Sequence, residues 1–186
     1  EGLNYTFTKT QRQLPTVLSH NEAKQIIGLL KGRYKLISSL LYGSGLRIHE
    51  ALRLRIKDID IHHKSIFVFR GKGGKDRRTI LPETLIPEIE ELIQKVKLVH
   101  QSDLYDGFGL TSMPISLIKK YNKAALDFSW QYLFPSKNLC KHPQDGYVCR
   151  HHLHPSAFRK QLRVAVKNSG IHKRVTAHTF RHSFAT

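Results

Sequence analysis

The sequence predicts a mainly α-helical domain with a small antiparallel β-sheet, an α+β arrangement, on three observations. Apolar residues recur at helical spacing in "LSHNEAKQIIGLL", "ETLIPEIEELIQKVKLVHQ" and "PSAFRKQLRVAVKNSG". One stretch, "KSIFVFRGKGGKDRRTILP", sets two β-rich runs on either side of a Gly-rich turn, as a hairpin does. The sequence contains no apolar run long enough to cross a bilayer.

In chain order, "EGLNYTFTKTQRQLP" has no sustained period and reads as an extended lead-in. Ser19 followed by Glu22 is a capping-box pattern that opens the first helix. "RYKLISSLLYGSGLRIHEALRLRIKDIDI" reads as two helices broken at Gly43 and Gly45, the second burying Leu46, Ala51 and Leu54. The hairpin follows, then the helix of "ETLIPEIEELIQKVKLVHQ". From about Ser102 to Phe128 the pattern weakens to one short helical piece near Leu117–Ala125, a length that suggests an inserted module. There Leu117, Ile118 and Tyr121 are expected to pack inward, with Lys119, Lys120 and Lys123 facing out. "WQYLFPSKNLCKHPQDGYVCRHHLH" reads as irregular. Pro155 opens and Gly170 caps the next helix, and a last one begins near Thr176.

The 186 residues hold 31 Lys and Arg against 14 Asp and Glu, a formal net charge of +17. That excess repels itself in any compact fold, and its spread along the chain favours a nucleic acid over a membrane as partner. The first residues lack the apolar core of a signal peptide. Cys140 and Cys149 do not suggest a disulfide scaffold, so a reducing compartment is expected.

Three places set basic side chains in an apolar frame. Arg47 starts a helix, with Glu50 one turn on to orient it. Lys72 and Lys75 lie on the glycine turn, which lacks the G-x-x-x-x-G-K-[ST] pattern of a nucleotide-binding loop. His178 and Arg181, in "HTFRHSFAT", share a helix face from which both can reach one phosphate. Together they suit phosphoryl transfer: arginines neutralise the charge that builds on the phosphate oxygens, a histidine handles the nucleophile's proton, and a lysine protonates the departing oxygen. No carboxylate cluster suits a two-metal nuclease.

In this order, "LLYGSGLRIHEALRLRIKDIDI", "GKGGKDRRTILP" and "HTFRHSFAT" resemble the catalytic domain of tyrosine recombinases, from about Thr16 onward. The extra segment before "FSWQYLFPS", then "CRHHLH" and "AHTFRHSFAT", resembles the integron integrase branch. The resemblance implies that Arg47, Lys72, His178 and Arg181 are catalytic, with Glu50 in support and Lys75 on the DNA backbone. His182 receives no proton-transfer role. It further implies cutting and rejoining of attachment-site DNA, including folded single-stranded hairpins, through a 3′-phosphotyrosine, without metal or other cofactor. The setting would be a synaptic multimer of the full-length enzyme in the bacterial cytoplasm, at the nucleoid. On this reading residues 1–15 are a linker from a missing N-terminal clamping domain. Residues 16–186 are then a catalytic domain truncated before its nucleophilic tyrosine, with an insertion at about 102–128. The alternative is a catalytically inactive DNA-binding remnant of the same scaffold.

Cys140, His142, Cys149, His151, His152 and His154 are of zinc-ligand type, but their spacing does not follow the common zinc patterns, and no metal is expected. The resemblance instead gives Trp130, His151 and His152 a DNA-binding role, stacking on unpaired bases at about 1–3 kcal/mol per base. For Trp130 burial in the core is an equal alternative; for the histidine pair the DNA role is preferred.

Overall fold

Helix α1 (His20–Gly28) starts on Ser19, as expected. The Ser19 hydroxyl accepts the Glu22 amide at 3.3 Å, and the Glu22 carboxylate accepts the Ser19 amide at 2.8 Å. This reciprocal cap satisfies two of the amides that a helix start leaves unpaired. The computed structural model describes residues 16–69, 74–113, 115–121 and 124–184. Lys72, Lys123 and the 1–15 lead-in therefore lie outside the described residues.

Helix α2 (Gly32–Gly43) is the centre of the molecule. Its Leu36, Ile37, Leu40 and Leu41 are buried, and α1 and the later helices pack around it. Helix α3 (Ile48–Leu52) is shorter than the sequence suggests, because the chain leaves it for a 3-10 turn at Ile56–Asp58. Leu46, Ala51 and Leu54 are buried as expected, although Leu46 and Leu54 flank the helix rather than belong to it.

The expected hairpin is two thirds of a three-stranded antiparallel sheet: β1 (Ile59–Asp60), β2 (Ser65–Val68) and β3 (Arg77–Ile80), in that order. Ile66 and Val68 of β2 face the core. Side chains alternate across a strand, so Arg77 and Thr79 of β3 turn toward the domain while Arg78 and Ile80 are exposed. The Thr79 hydroxyl donates to the Ser44 carbonyl at 2.8 Å and ties the sheet to the turn after α2.

Helix α4 (Ile86–Tyr105) runs past Ser102, and the irregular segment begins only after it. The short helix α5 spans Ile115–Lys120, earlier than the expected Leu117–Ala125. The Ala125 carbonyl accepts the Thr111 amide at 2.8 Å, and Ala125 is buried outside any helix. Leu117 and Ile118 are half-buried, but Tyr121 is exposed rather than packed. The stretch read as irregular contains a second small antiparallel pair, β4 (Cys140–Lys141) and β5 (Val148–Cys149).

Two arginines bind this region to the rest. Arg55 donates to the Ser112 carbonyl at 3.0 Å, to the Thr111 hydroxyl at 3.3 Å and to the Trp130 carbonyl. Its guanidinium also lies over the Tyr132 ring, 4.4 Å from the centroid. Arg150 forks onto Asp103 of α4 at 2.5 and 2.6 Å and donates to the Ser136 and Lys137 carbonyls.

Helix α6 (Pro155–Ser169) starts at Pro155 and is capped by Gly170 at φ +68°, both as expected. Helix α7 (Ala177–Phe184) lies against α2 with Phe180 fully buried, which is worth about 3 kcal/mol. Its Ser183 hydroxyl accepts the Leu18 amide at 2.9 Å, so the two ends of the described chain meet there.

Candidate active site

The first arginine is set by a helix start. Arg47 precedes α3, and Glu50 reaches back to accept its amide at 2.8 Å and its guanidinium at 2.9 Å. A carboxylate in a first helical turn also faces the positive end of the helix dipole. Arg77 then crosses from β3 and forks onto the same carboxylate at 2.9 and 2.7 Å. Arg181 approaches from α7: its guanidinium lies 3.8 Å from Glu50 and donates to the Gly45 carbonyl. Three sequence-distant arginines thus meet on one carboxylate.

The charge balance follows from this geometry. The Glu50 side chain is 9% exposed, while Arg47, Arg77 and Arg181 are 29%, 32% and 28% exposed. Burial alone would raise the Glu50 pKa. The bonds from Arg77 and from the Arg47 amide and guanidinium outweigh it and hold the carboxyl at about 2. One fixed negative charge therefore faces three positive ones, leaving an excess of two at a partly open surface. Burial, and then the nearby Arg47, lower the Arg181 pKa from its ordinary value. An anion placed between these guanidiniums would relieve that repulsion.

Gly45 makes the approach possible. It sits at φ +61°, and a Cβ there would fall 2.5 Å from the Phe184 ring of α7. Any larger residue there forces the Phe184 ring of α7 out of its present position. His178 lies one turn before Arg181 on α7 and is exposed. Lys75 is exposed on the turn entering β3, and Lys72 is outside the described residues.

The profile of the phage integrase family matches residues 16–186. The chain belongs to that family. It is 39% identical over 178 residues to an integrase/recombinase of Escherichia coli, covering 96% of this chain and 53% of that protein. A tyrosine recombinase of Thermosipho africanus is 31% identical, with 96% and 49% covered. Among solved structures, XerA recombinase superposes with a TM-score of 0.63 at 27% identity, over 94% of this chain and 51% of that one. XerH recombinase, solved bound to its difH substrate, shares the fold at a TM-score of 0.60 and 21% identity. The chain spans about half the length of the curated relatives it matches. The helical architecture with small antiparallel sheets is that of phage integrase family catalytic domains.

Within this family domain the other sequence-derived candidates lie in the region that Arg55 and Arg150 anchor. Trp130 is half-buried, neither core nor free: the Lys57 ammonium sits 3.0 Å from its ring centroid and the Arg55 guanidinium 5.6 Å away. His151 and His152 are half-buried side by side, 4.1 Å between ring centroids, and both pack on Tyr132. Burial lowers both pKa values, that of His152 to about 4. Nδ1 of His152 meets the Leu153 carbonyl at 2.8 Å; a carbonyl only accepts, so that nitrogen holds the proton and Nε2 is left as an acceptor. At neutral pH this is an uncharged aromatic pair rather than a phosphate-binding cation. Among the described residues no three His, Cys, Asp or Glu side chains converge as metal ligands. Among them, too, no helix is long and apolar enough to cross a membrane.

Arg77 is the site residue that sequence reasoning missed. The signal was present in the alternation of β3, since Arg77 shares a face with Thr79 and not with Arg78. Choosing between two adjacent arginines needs the strand register, which pairs Val68 with Arg77.

Proposed function

We propose that the chain is the phosphate-gripping catalytic part of a site-specific DNA recombinase of integron-integrase type. Arg47 and Arg181 would neutralise the two non-bridging oxygens of the scissile phosphate, with Arg77 and Glu50 holding them in place. His178, exposed on the same helix face as Arg181, would manage the proton of the attacking hydroxyl, and Lys72 would protonate the leaving oxygen. In the full-length enzyme the product of attack would be a 3′-phosphotyrosine, formed without metal or other cofactor in a synaptic multimer in the bacterial cytoplasm. The observation that carries this reading is the convergence of three arginines from α3, β3 and α7 on the buried Glu50. The family match and the DNA-bound relatives support it.

The described tyrosines make their contacts elsewhere. Tyr42 bonds His20, Tyr121 faces Trp130, Tyr132 lies under Arg55, Tyr147 bonds Met113, Tyr34 faces Arg33, and Tyr105 is 92% exposed on α4. None of these described tyrosines would attack a phosphodiester held by the arginines; Tyr5 lies outside the described residues. A catalytically inactive DNA-binding remnant is the second reading, and this placement of tyrosines favours it equally. For integron-type substrates, the His151–His152 pair and the open edge of Trp130 would stack on extrahelical bases, while Lys75 contacts the backbone.

The test is fluorescence-anisotropy binding of a labelled duplex across a salt series. Arg47→Ala and Arg181→Ala should each lower the log–log salt slope by about 0.9. Unchanged slopes would remove the phosphate reading. A denaturant-stable protein–DNA adduct on a nicked attachment-site substrate would overturn the tyrosine argument. Preference for a bulged hairpin over duplex should fall several-fold in His151→Ala/His152→Ala, and a preference that never existed would reject the integron branch.

A further inference from the structure

We infer that Cys140 and Cys149 form a peroxide-responsive dithiol, a modification site built across the β4–β5 hairpin. The two residues are register partners in the antiparallel pair, directly opposite each other. Opposed residues of such a pair have Cα atoms about 4.5–5.5 Å apart, inside the roughly 4.4–6.8 Å that a disulfide spans. Both are free thiols. The sulfurs also sense each other: burial first, then the neighbouring Cys140, pushes the Cys149 thiol up to about 12.

The two cysteines differ in a way that orders the chemistry. Cys140 is exposed, whereas Cys149 is fully buried and stays protonated. A hydroperoxide therefore meets Cys140 first. The Cys140 thiolate attacks one oxygen of hydrogen peroxide, the O–O bond breaks, and the departing hydroxide takes up the proton the thiol had released and leaves as water, with a sulfenic acid on Cys140. The Cys149 sulfur then attacks the Cys140 sulfur and the S–O bond breaks. The departing hydroxide takes the Cys149 proton and leaves as water. Two thiols lose two electrons, and one hydroperoxide is reduced. A disulfide of this transient kind suits a reducing compartment, where bridges sense oxidants rather than hold folds.

The position gives the bridge something to act on. The hairpin is anchored by Tyr147, whose hydroxyl donates to the Met113 carbonyl at 2.7 Å and accepts the Met113 amide at 2.9 Å. Cys149 leads directly into Arg150, which holds Asp103, and then into the His151–His152 pair. Oxidation would thus staple the strand that presents those two histidines. The dithiol chemistry stands independently of the DNA reading.

The experiment treats the reduced 186-residue protein with hydrogen peroxide, unfolds it, alkylates remaining thiols and maps peptides by mass spectrometry. The expected result is an intramolecular Cys140–Cys149 bridge, a loss of two hydrogens, with both thiols recovered on dithiothreitol treatment. In Cys149→Ala, Cys140 should instead accumulate sulfinate or link two chains. Cys140→Ser changes only an exposed side chain and guards against misfolding; its Cys149 should remain alkylatable after the same dose. The inference fails if wild-type Cys140 overoxidises as fast as in Cys149→Ala while Cys149 stays a thiol. It fails equally if Cys149 in Cys140→Ser oxidises as fast as Cys140 does in the wild type.

Discussion

Arg77→Ala removes the fork that clamps Glu50 from the sheet side and leaves the carboxylate to Arg47 and, at 3.8 Å, to Arg181. Glu50 is held at about 2 against an ordinary value of 4.5. At about 1.4 kcal/mol per unit, that difference corresponds to about 3 kcal/mol. Its partners are about a third exposed, so solvent screening reduces the figure to about 2 kcal/mol. The Arg77 bond is the largest single influence that lowers the Glu50 pKa, with the Arg47 amide and guanidinium next. The variant should lose about 1–2 kcal/mol of unfolding free energy at pH 7, read as a lower urea midpoint at unchanged m-value. The pH dependence sharpens the test. The folded pKa is depressed, so the stabilisation is fully present above the unfolded value near 4.5. It is lost as pH falls through that value toward about 2. Arg77→Ala should flatten the stability-versus-pH slope in this window, and Arg77→Lys, which keeps the charge without the fork, should fall between. A variant within about 0.5 kcal/mol of wild type, with the acid slope intact, would refute the idea that Arg77 holds Glu50.

Three further perturbations separate other parts of the structure. Gly45→Ala places a methyl at φ +61° and 2.5 Å from the Phe184 ring; thermal unfolding should show a loss of at least ~1 kcal/mol, partly recovered by adding Phe184→Ala. Asp103→Ala leaves the largely buried Arg150 guanidinium with its two carbonyl partners but without its counter-charge, so calorimetry should show about 3 kcal/mol of destabilisation, more than for the exposed Lys95–Glu91 pair. His152 is held neutral by burial with a folded pKa of about 4 against 6.5, so its contribution is present above pH 6.5 and is lost as pH falls toward 4. Denaturant melts of His152→Gln should show a shallower pH dependence between 4 and 6.5.

The features legible in the sequence are those with short-range causes. The Ser19–Glu22 cap, the Gly170 terminus and the Arg47–Glu50 pair all act over three residues or at a single backbone position, and all stand where expected. The helix ends of the inserted region were misplaced because long-range bonds set them. The Ala125 carbonyl serves Thr111 and Gln131, so Ala125 belongs to no helix although the apolar spacing reaches it. The β4–β5 pair escaped notice because two-residue strands carry no period; only the backbone pairing of Cys140 with Cys149 reveals them. Bringing Arg181 to Arg47 required the motif order rather than local patterning, since α7 reaches the site by packing Phe180 onto α2.

Net charge was the least specific guide to the site, for a physical reason. Arg55, Arg77 and Arg150 count toward the +17, yet each is engaged by groups inside the fold: carbonyls and a ring for Arg55, Glu50 for Arg77, Asp103 and two carbonyls for Arg150. A guanidinium presents several donors in a fixed plane, so it can join several backbone carbonyls where a lysine offers one mobile point. In a chain this basic, arginine serves as internal clamp and, on the reading proposed above, as phosphate ligand, and composition does not distinguish the two. The number of partners can. Among the described residues Arg55 and Arg150 each have at least three polar partners, whereas Arg47 and Arg181 share one carboxylate, to which Arg181 adds the Gly45 carbonyl, at a partly open surface. That partly open placement, with the Arg181 guanidinium repelled by Arg47, supports the proposal that Arg47 and Arg181 are the pair that takes the phosphate.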